Sequence, residues 1–167
     1  YMAIKSKIIT ALAAVFSQKV AIVFVAALPI FELRLAIPLG IIKFGLPFWE
    51  VYFLALLGNL IPVLPLLIFF KVFFHKLENV KFFGKFFKWW FLRVEKKSKI
   101  VEKWGFWGLI IFVSIPLPVT GAWTGTVAAT LFEMKVKKAF CAIALGVAIA
   151  GVVVGFLTKE AVIFING

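Results

Sequence analysis

The sequence predicts an all-α integral membrane protein built as two inverted repeats, each a re-entrant helical hairpin plus a transmembrane helix, joined by an amphipathic interfacial helix. Three observations predict it. The chain is 64% hydrophobic and 16% charged, with a mean hydropathy of +1.11, and a soluble fold carries more charge. Residues 52–70 and 140–158 are apolar runs close to the ~20 residues that one crossing needs. Upstream of each, a second apolar stretch is interrupted by prolines and polar residues.

Residues 1–19 read as an N-terminal interfacial helix that runs into the first hairpin; an alternative has residues 8–28 cross fully from a cytoplasmic N-terminus. Basic residues precede an apolar run here, but that run continues into further membrane sequence without a cleavage signal, so no removed signal peptide is expected. The first repeat takes residues 20–71, with the hairpin over 20–44 and the span over 50–71. Pro29 and Pro38 break the hairpin, because proline lacks an N–H donor and disfavours helix in the residue before it. In the span, Asn59 is followed by Pro62 and Pro65, which marks a kink; the carbonyls it frees would bind an ion or water, or the kink serves helix packing. Residues 72–103 interleave lysines with Phe82, Phe83, Phe86, Phe87, Trp89 and Trp90. On a helix these segregate into a charged and an aromatic face, the pattern of a helix lying in the interface with its lysines on anionic headgroups.

The second repeat takes residues 104–159. Residues 104–132 carry no formal charge, yet Lys103 stands before them and Lys135, Lys137 and Lys138 after. Cytoplasmic flanks collect Lys and Arg, so both ends are expected on the cytoplasmic side, which a single crossing cannot provide. The hairpin over 104–134 therefore enters, breaks at Ile115-Pro116-Leu117-Pro118-Val119-Thr120-Gly121-Ala122-Trp123-Thr124-Gly125, and returns. Broken backbone at that depth is tolerated only where protein buries it or where it lines a cavity, so the break points to a permeation or substrate site. The second span covers 139–158, and residues 160–167 form a tail. Gly146, Gly151 and Gly155 along it would serve either a homodimer face or internal contacts.

Laying residues 17–71 over 105–159 aligns Leu57-Gly58 with Leu145-Gly146 and Lys71 with Lys159, with the two broken tracts in near register. Each half then crosses once. With the linker cytoplasmic, the basic residues from Lys71 to Lys103 lie inside with Lys135, Lys137 and Lys138, while Lys5, Lys7, Lys19, Lys43 and Lys159 lie outside. One multi-pass domain in the inner membrane of a prokaryotic cell is expected, its partners the bilayer and anionic lipids. The net charge of +12 reads as topology and lipid contact, not nucleic-acid binding.

Aspartate is absent, His75 is the only histidine, and Cys141 stands alone in an apolar stretch, where it is expected to pack. No triad, metal cluster or phosphate-binding loop can be drawn from these, so the chain reads as no enzyme, with no catalytic residue, metal site or cofactor. Glu32 and Arg34 are the only charges in residues 26–42. Either alone at the bilayer centre costs ~2.5–3.5 kcal/mol, so both should face protein or water. Dehydration favours a neutral carboxyl and a neighbouring guanidinium a charged one, so such a pair can take up and release a proton; the plainer use is an ion pair that closes the tip. The planar fork of Arg34 suits phosphate or carboxylate. Thr120, Thr124 and the amides around Gly121 and Gly125 would add groups that favour an anion, and Trp123 either walls the pocket or packs between helices. The two tips are expected to share one polar pocket. Glu50 and Glu133 stand at connectors, where solvated charge is expected.

Three tracts, Glu32-Leu33-Arg34-Leu35-Ala36-Ile37-Pro38-Leu39-Gly40, Leu57-Gly58-Asn59 and residues 115–125, resemble the small multidrug export protein family, distant relatives of the DedA and VTT membrane proteins. The resemblance implies two re-entrant hairpins facing each other from opposite leaflets. For the wider DedA group it also implies ion-driven transport of polyprenyl-phosphate lipid carriers, with an acidic residue in the first hairpin and arginines in the second. This chain has Val119 where the pattern has glycine, and no arginine in its second hairpin, so an anion-binding role would fall to Arg34. The function expected is that of a proton- or ion-coupled secondary transporter moving an anionic lipid carrier. The alternatives are efflux of amphipathic cations with Glu32 as counter-ion, and a lipid-organising protein that uses its basic aromatic linker.

Overall fold

A computed structural model describes residues 17–77, 92, 94, 99–116 and 120–166. The expected N-terminal interfacial helix up to residue 16, most of the basic aromatic linker, and Pro118 lie outside the described residues. Every regular element among the described residues is helical: α1 (Gln18–Ala27), α2 (Glu32–Pro38), a π turn (Leu39–Lys43), α3 (Phe48–Leu60), α4 (Val63–Leu77), α5 (Lys99–Ser114), α6 (Ala122–Leu131) and α7 (Val136–Asn166). The chain forms two compact units, one made of residues up to Asn59 with those from Gly151 onward, the other of residues from Leu60 to Ala150.

In the first unit α1 buries Ala21, Ile22, Val25 and Ala26, a one-sided stripe at helical spacing. It stops because Pro29 pushes Leu28 out of the helical region, to φ −78 and ψ 135. The N–H groups of Phe31 and Glu32 both donate to the Leu28 carbonyl, which tightens the turn into α2. Helix α2 buries Glu32, Leu33, Ala36 and Ile37 and packs against α1. Pro38 stands at the end of this arm, not at its break: the helix runs through it and widens into the π turn, where the Phe44 N–H reaches the Leu39 carbonyl. Proline can give no N–H to the carbonyl four residues back, and a wider turn is a common accommodation. Helix α3 buries Val51, Tyr52, Ala55, Gly58 and Asn59. At Gly58 any Cβ would run into the Val23 carbonyl and Ala26, so glycine is what lets α3 lie against α1.

In the second unit α5 is interrupted at Gly105, whose φ of 53 and ψ of −117 are open to glycine and costly to other residues. Helix α6 is buried over nearly its whole circumference, from Ala122 through Thr124–Ala129, and packs on both α4 and α5. Its small side chains make that approach feasible: a Cβ on Gly125 would lie 2.6 Å from Val113 Cγ2. Helix α6 ends in a Schellman turn, with the Met134 N–H on the Ala129 carbonyl and the Glu133 N–H on the Thr130 carbonyl. Glu133 occupies the left-handed position of that turn at φ 50.

Among the described residues two helical stretches are long and apolar enough to cross a membrane, Phe48–Val72 with mean hydropathy 2.4 and Val136–Phe164 with 2.6. The first is interrupted between Leu60 and Val63, where Pro62 supplies no N–H. Their outward faces decide between lipid and water. Phe53, Leu57, Leu64 and Ile68 on one, and Leu145, Ile149, Val152 and Phe156 on the other, are exposed, where a water-facing helix would place charge. Cys141 lies on this outer face, so the packing role expected for it is replaced by lipid exposure. The inner face of α7 repeats Ala139, Ala142, Ile143, Gly146, Val147 and Ala150. Gly146 meets Val113, Gly151 meets Tyr52 and Gly155 meets Phe48, so these three glycines serve contacts within the chain. Helix α7 continues to Asn166, past the expected end at 158, and Lys159 sits 5.3 Å above the Phe48 ring.

Candidate functional site

The first polar tip belongs to the first unit. Glu32 is only 6% exposed, and it begins α2 in the left-handed region at φ 49. A residue with a Cβ pays about 1–2 kcal/mol for that conformation, so the chain holds this carboxylate in place against a backbone preference. Residues two apart do not normally face each other on a helix, yet the left-handed start turns Glu32 toward Arg34. Arg34 Nη2 lies 3.9 Å from Glu32 Oε2, the separation of a charge pair rather than a hydrogen bond. The Arg34 side chain remains 27% exposed against 8% for Glu32, so the pair has a buried anionic end and an open cationic end. Pro29, in the turn that precedes them, is itself exposed.

The second tip belongs to the second unit. Helix α5 ends at Ser114, whose hydroxyl donates to the Ile111 carbonyl at 2.9 Å. The chain is then non-helical at Ile115, Pro116, Thr120 and Gly121. The Thr120 hydroxyl closes this break by donating to the Ile115 carbonyl at 2.6 Å. Gly121, buried at the N-terminus of α6, holds φ 154 and ψ −169, a region essentially closed to other residues. Its carbonyl accepts from the Gly125 N–H at 2.7 Å and the Thr124 hydroxyl at 3.2 Å. The threonine protons expected to meet a ligand are thus spent on backbone carbonyls, and their oxygens can act as acceptors. Gly125 faces Val113 and Ile143 and is a packing contact. Trp123 is half-buried.

The structure therefore brings Glu32 together with Arg34, and Thr120 and Thr124 together with Gly121 and Gly125. Asn59 is fully buried, and neither its Oδ1 nor its Nδ2 has a hydrogen-bond partner. One feature escaped the reading of the sequence: a cleft of about 310 Å³ lined by Leu67, Lys71, Thr130, Glu133 and Met134. The signal for it was the charge that ends the neutral 104–132 run, which a solvated connector explains equally well.

No curated protein and no solved structure shows a significant match to the chain. Residues 32–153, nearly three quarters of its length, match the profile of a protein family. The matched segment opens on Glu32 and runs through both polar tips and most of α7, and on that extent the chain belongs to the family described as "Putative small multi-drug export protein".

Proposed function

We propose that this protein is a secondary transporter of the cell membrane that carries an anionic lipid carrier, of the polyprenyl-phosphate kind, together with protons. One observation carries the reading: a carboxylate buried to 6% exposure and held in a left-handed conformation, 3.9 Å from a guanidinium with an open face, at a helix break in otherwise uncharged sequence. Buried ion pairs are poor stabilisers, so an apolar tip would fold at lower cost. Arg34 engages the phosphate through its fork of donors, and the approaching anion releases Glu32 from its charge partner so that it takes up a proton. When the anion leaves, the guanidinium again favours the carboxylate, and the proton departs. Each helix–break–helix pair, α1–α2 and α5–α6, dips into the bilayer and returns to its own face. The shortness of these arms supports this: the 10 residues of α6 reach only about 15 Å, half of a ~30 Å hydrocarbon core.

The test is uptake of labelled polyprenyl phosphate into vesicles holding the full-length protein, with and without a pH gradient. Gradient-driven uptake that is lost in Glu32→Gln and in Arg34→Ala is the expected result; equal uptake by the parent and both variants overturns the mechanism. The family's description favours a second reading, export of amphipathic organic cations with Glu32 as counter-ion. Under it, tetraphenylphosphonium export survives Arg34→Ala and fails in Glu32→Gln.

A further inference from the structure

Asn59 sits in the last turn of α3, fully buried, with both polar atoms of its amide unpartnered. Leaving such a group dry costs about 1–3 kcal/mol, so native interiors place a partner, a water or an ion beside it. The backbone beside it lacks one helical donor as well, the N–H that Pro62 does not have. In an unbroken helix the Gly58 carbonyl would accept from the N–H of residue 62, but residue 62 is proline and α3 stops at Leu60. Gly58 is itself buried, pressed on the Val23 carbonyl and Ala26. A helix C-terminus carries partial negative charge on its carbonyls, and the Asn59 side chain adds a neutral oxygen. Oxygens without formal charge, at the break of a membrane helix, suit a small monovalent cation; no acidic residue lies between Glu50 and residue 77 to balance a divalent one.

We propose that the Asn59 turn is a sodium site, with Asn59 Oδ1 and the Gly58 carbonyl as ligands. Its occupancy satisfies the Asn59 amide oxygen and locks the end of α3. The proposal does not rest on the role given to Glu32.

The experiment measures binding of radiolabelled sodium, and the thermal midpoint, on purified full-length protein in sodium, potassium and choline salts. The parent is expected to bind sodium and to gain roughly 2–4 °C over choline once sodium exceeds its Kd several-fold, with no such gain in potassium. Asn59→Leu should abolish both effects and Asn59→Asp should keep them. Pro62→Ala returns an N–H to the Gly58 carbonyl and should weaken sodium binding by about tenfold or more, the factor that loss of one good ligand carries. Absence of sodium-specific binding in the parent, as a trapped water would give, overturns the proposal, and so does unchanged binding in Asn59→Leu. If Asn59→Leu does not fold, Pro62→Ala decides: sodium affinity equal to that of the parent overturns it.

Discussion

Glu32, Arg34 and Gly121 carry the polar tips, and each makes a separate prediction. Replacing Glu32 with Gln keeps the shape and removes the titrating group, so proton-driven uptake should fall by about tenfold or more while the protein still purifies folded. Arg34→Ala leaves a buried carboxylate without its charge partner, so it should lower the thermal midpoint as well as uptake; the double variant Glu32→Gln/Arg34→Ala should recover part of that midpoint in a double-mutant cycle. Gly121→Ala forces a Cβ into a backbone region near φ 154 and ψ −169, and should destabilise by roughly 1–3 kcal/mol in chemical denaturation. The presence of Glu32 and Arg34 was legible in the sequence, because two charges in an apolar stretch need a reason. Their meeting was not, since residues two apart diverge on an ordinary helix, and only the left-handed φ of Glu32 brings them to 3.9 Å. The threonines were legible as polar groups in the second break; that their hydroxyl protons serve the backbone was not, because a hydroxyl's choice between carbonyl and ligand depends on local geometry.

At the level of elements, the sequence marks breaks well and widths poorly. Leu28 leaves the helix because Pro29 follows, and α3 stops where Pro62 approaches; both follow from the chemistry of a single residue. The π turn after Pro38 does not, because proline at that point could equally have ended the arm. The break at Gly105 was also hidden, since an isolated glycine is tolerated within a helix. The turn closing α6 yields a prediction of its own sign. Glu133 fills a left-handed position that glycine takes without penalty, so Glu133→Gly should raise stability by about 1 kcal/mol in denaturant unfolding. A fall in stability would mean that the carboxylate, which also lines the 310 Å³ cleft, makes a compensating contact there.

For the whole molecule, the helical class and the two long apolar stretches followed from composition and run length alone. What composition could not give was which side of each stretch faces out. That side is now specific enough to test. Ile149, near the middle of Val136–Phe164, is 47% exposed, and Ile149→Lys should cost about 2.5–3.5 kcal/mol and deplete the protein from the membrane fraction. The same change on the exposed face of a soluble helix would be close to neutral, so this variant separates the two environments directly. Helix α7, at 31 residues, extends about 46 Å and exceeds a ~30 Å hydrocarbon core, so its end beyond Lys159 should reach the headgroups.

Helix α6 imposes an order on how the protein is made. Its 10 residues are too few for the insertion machinery to accept as a segment in its own right, and its threonines and glycine give it little attraction to fatty chains. It must be pulled into place by α4 and α5, already lodged ahead of it in synthesis. A ribosome stalled with α6 just emerged should therefore leave that segment accessible to protease, and release into a protected form should follow only once its earlier-made neighbours have closed around it.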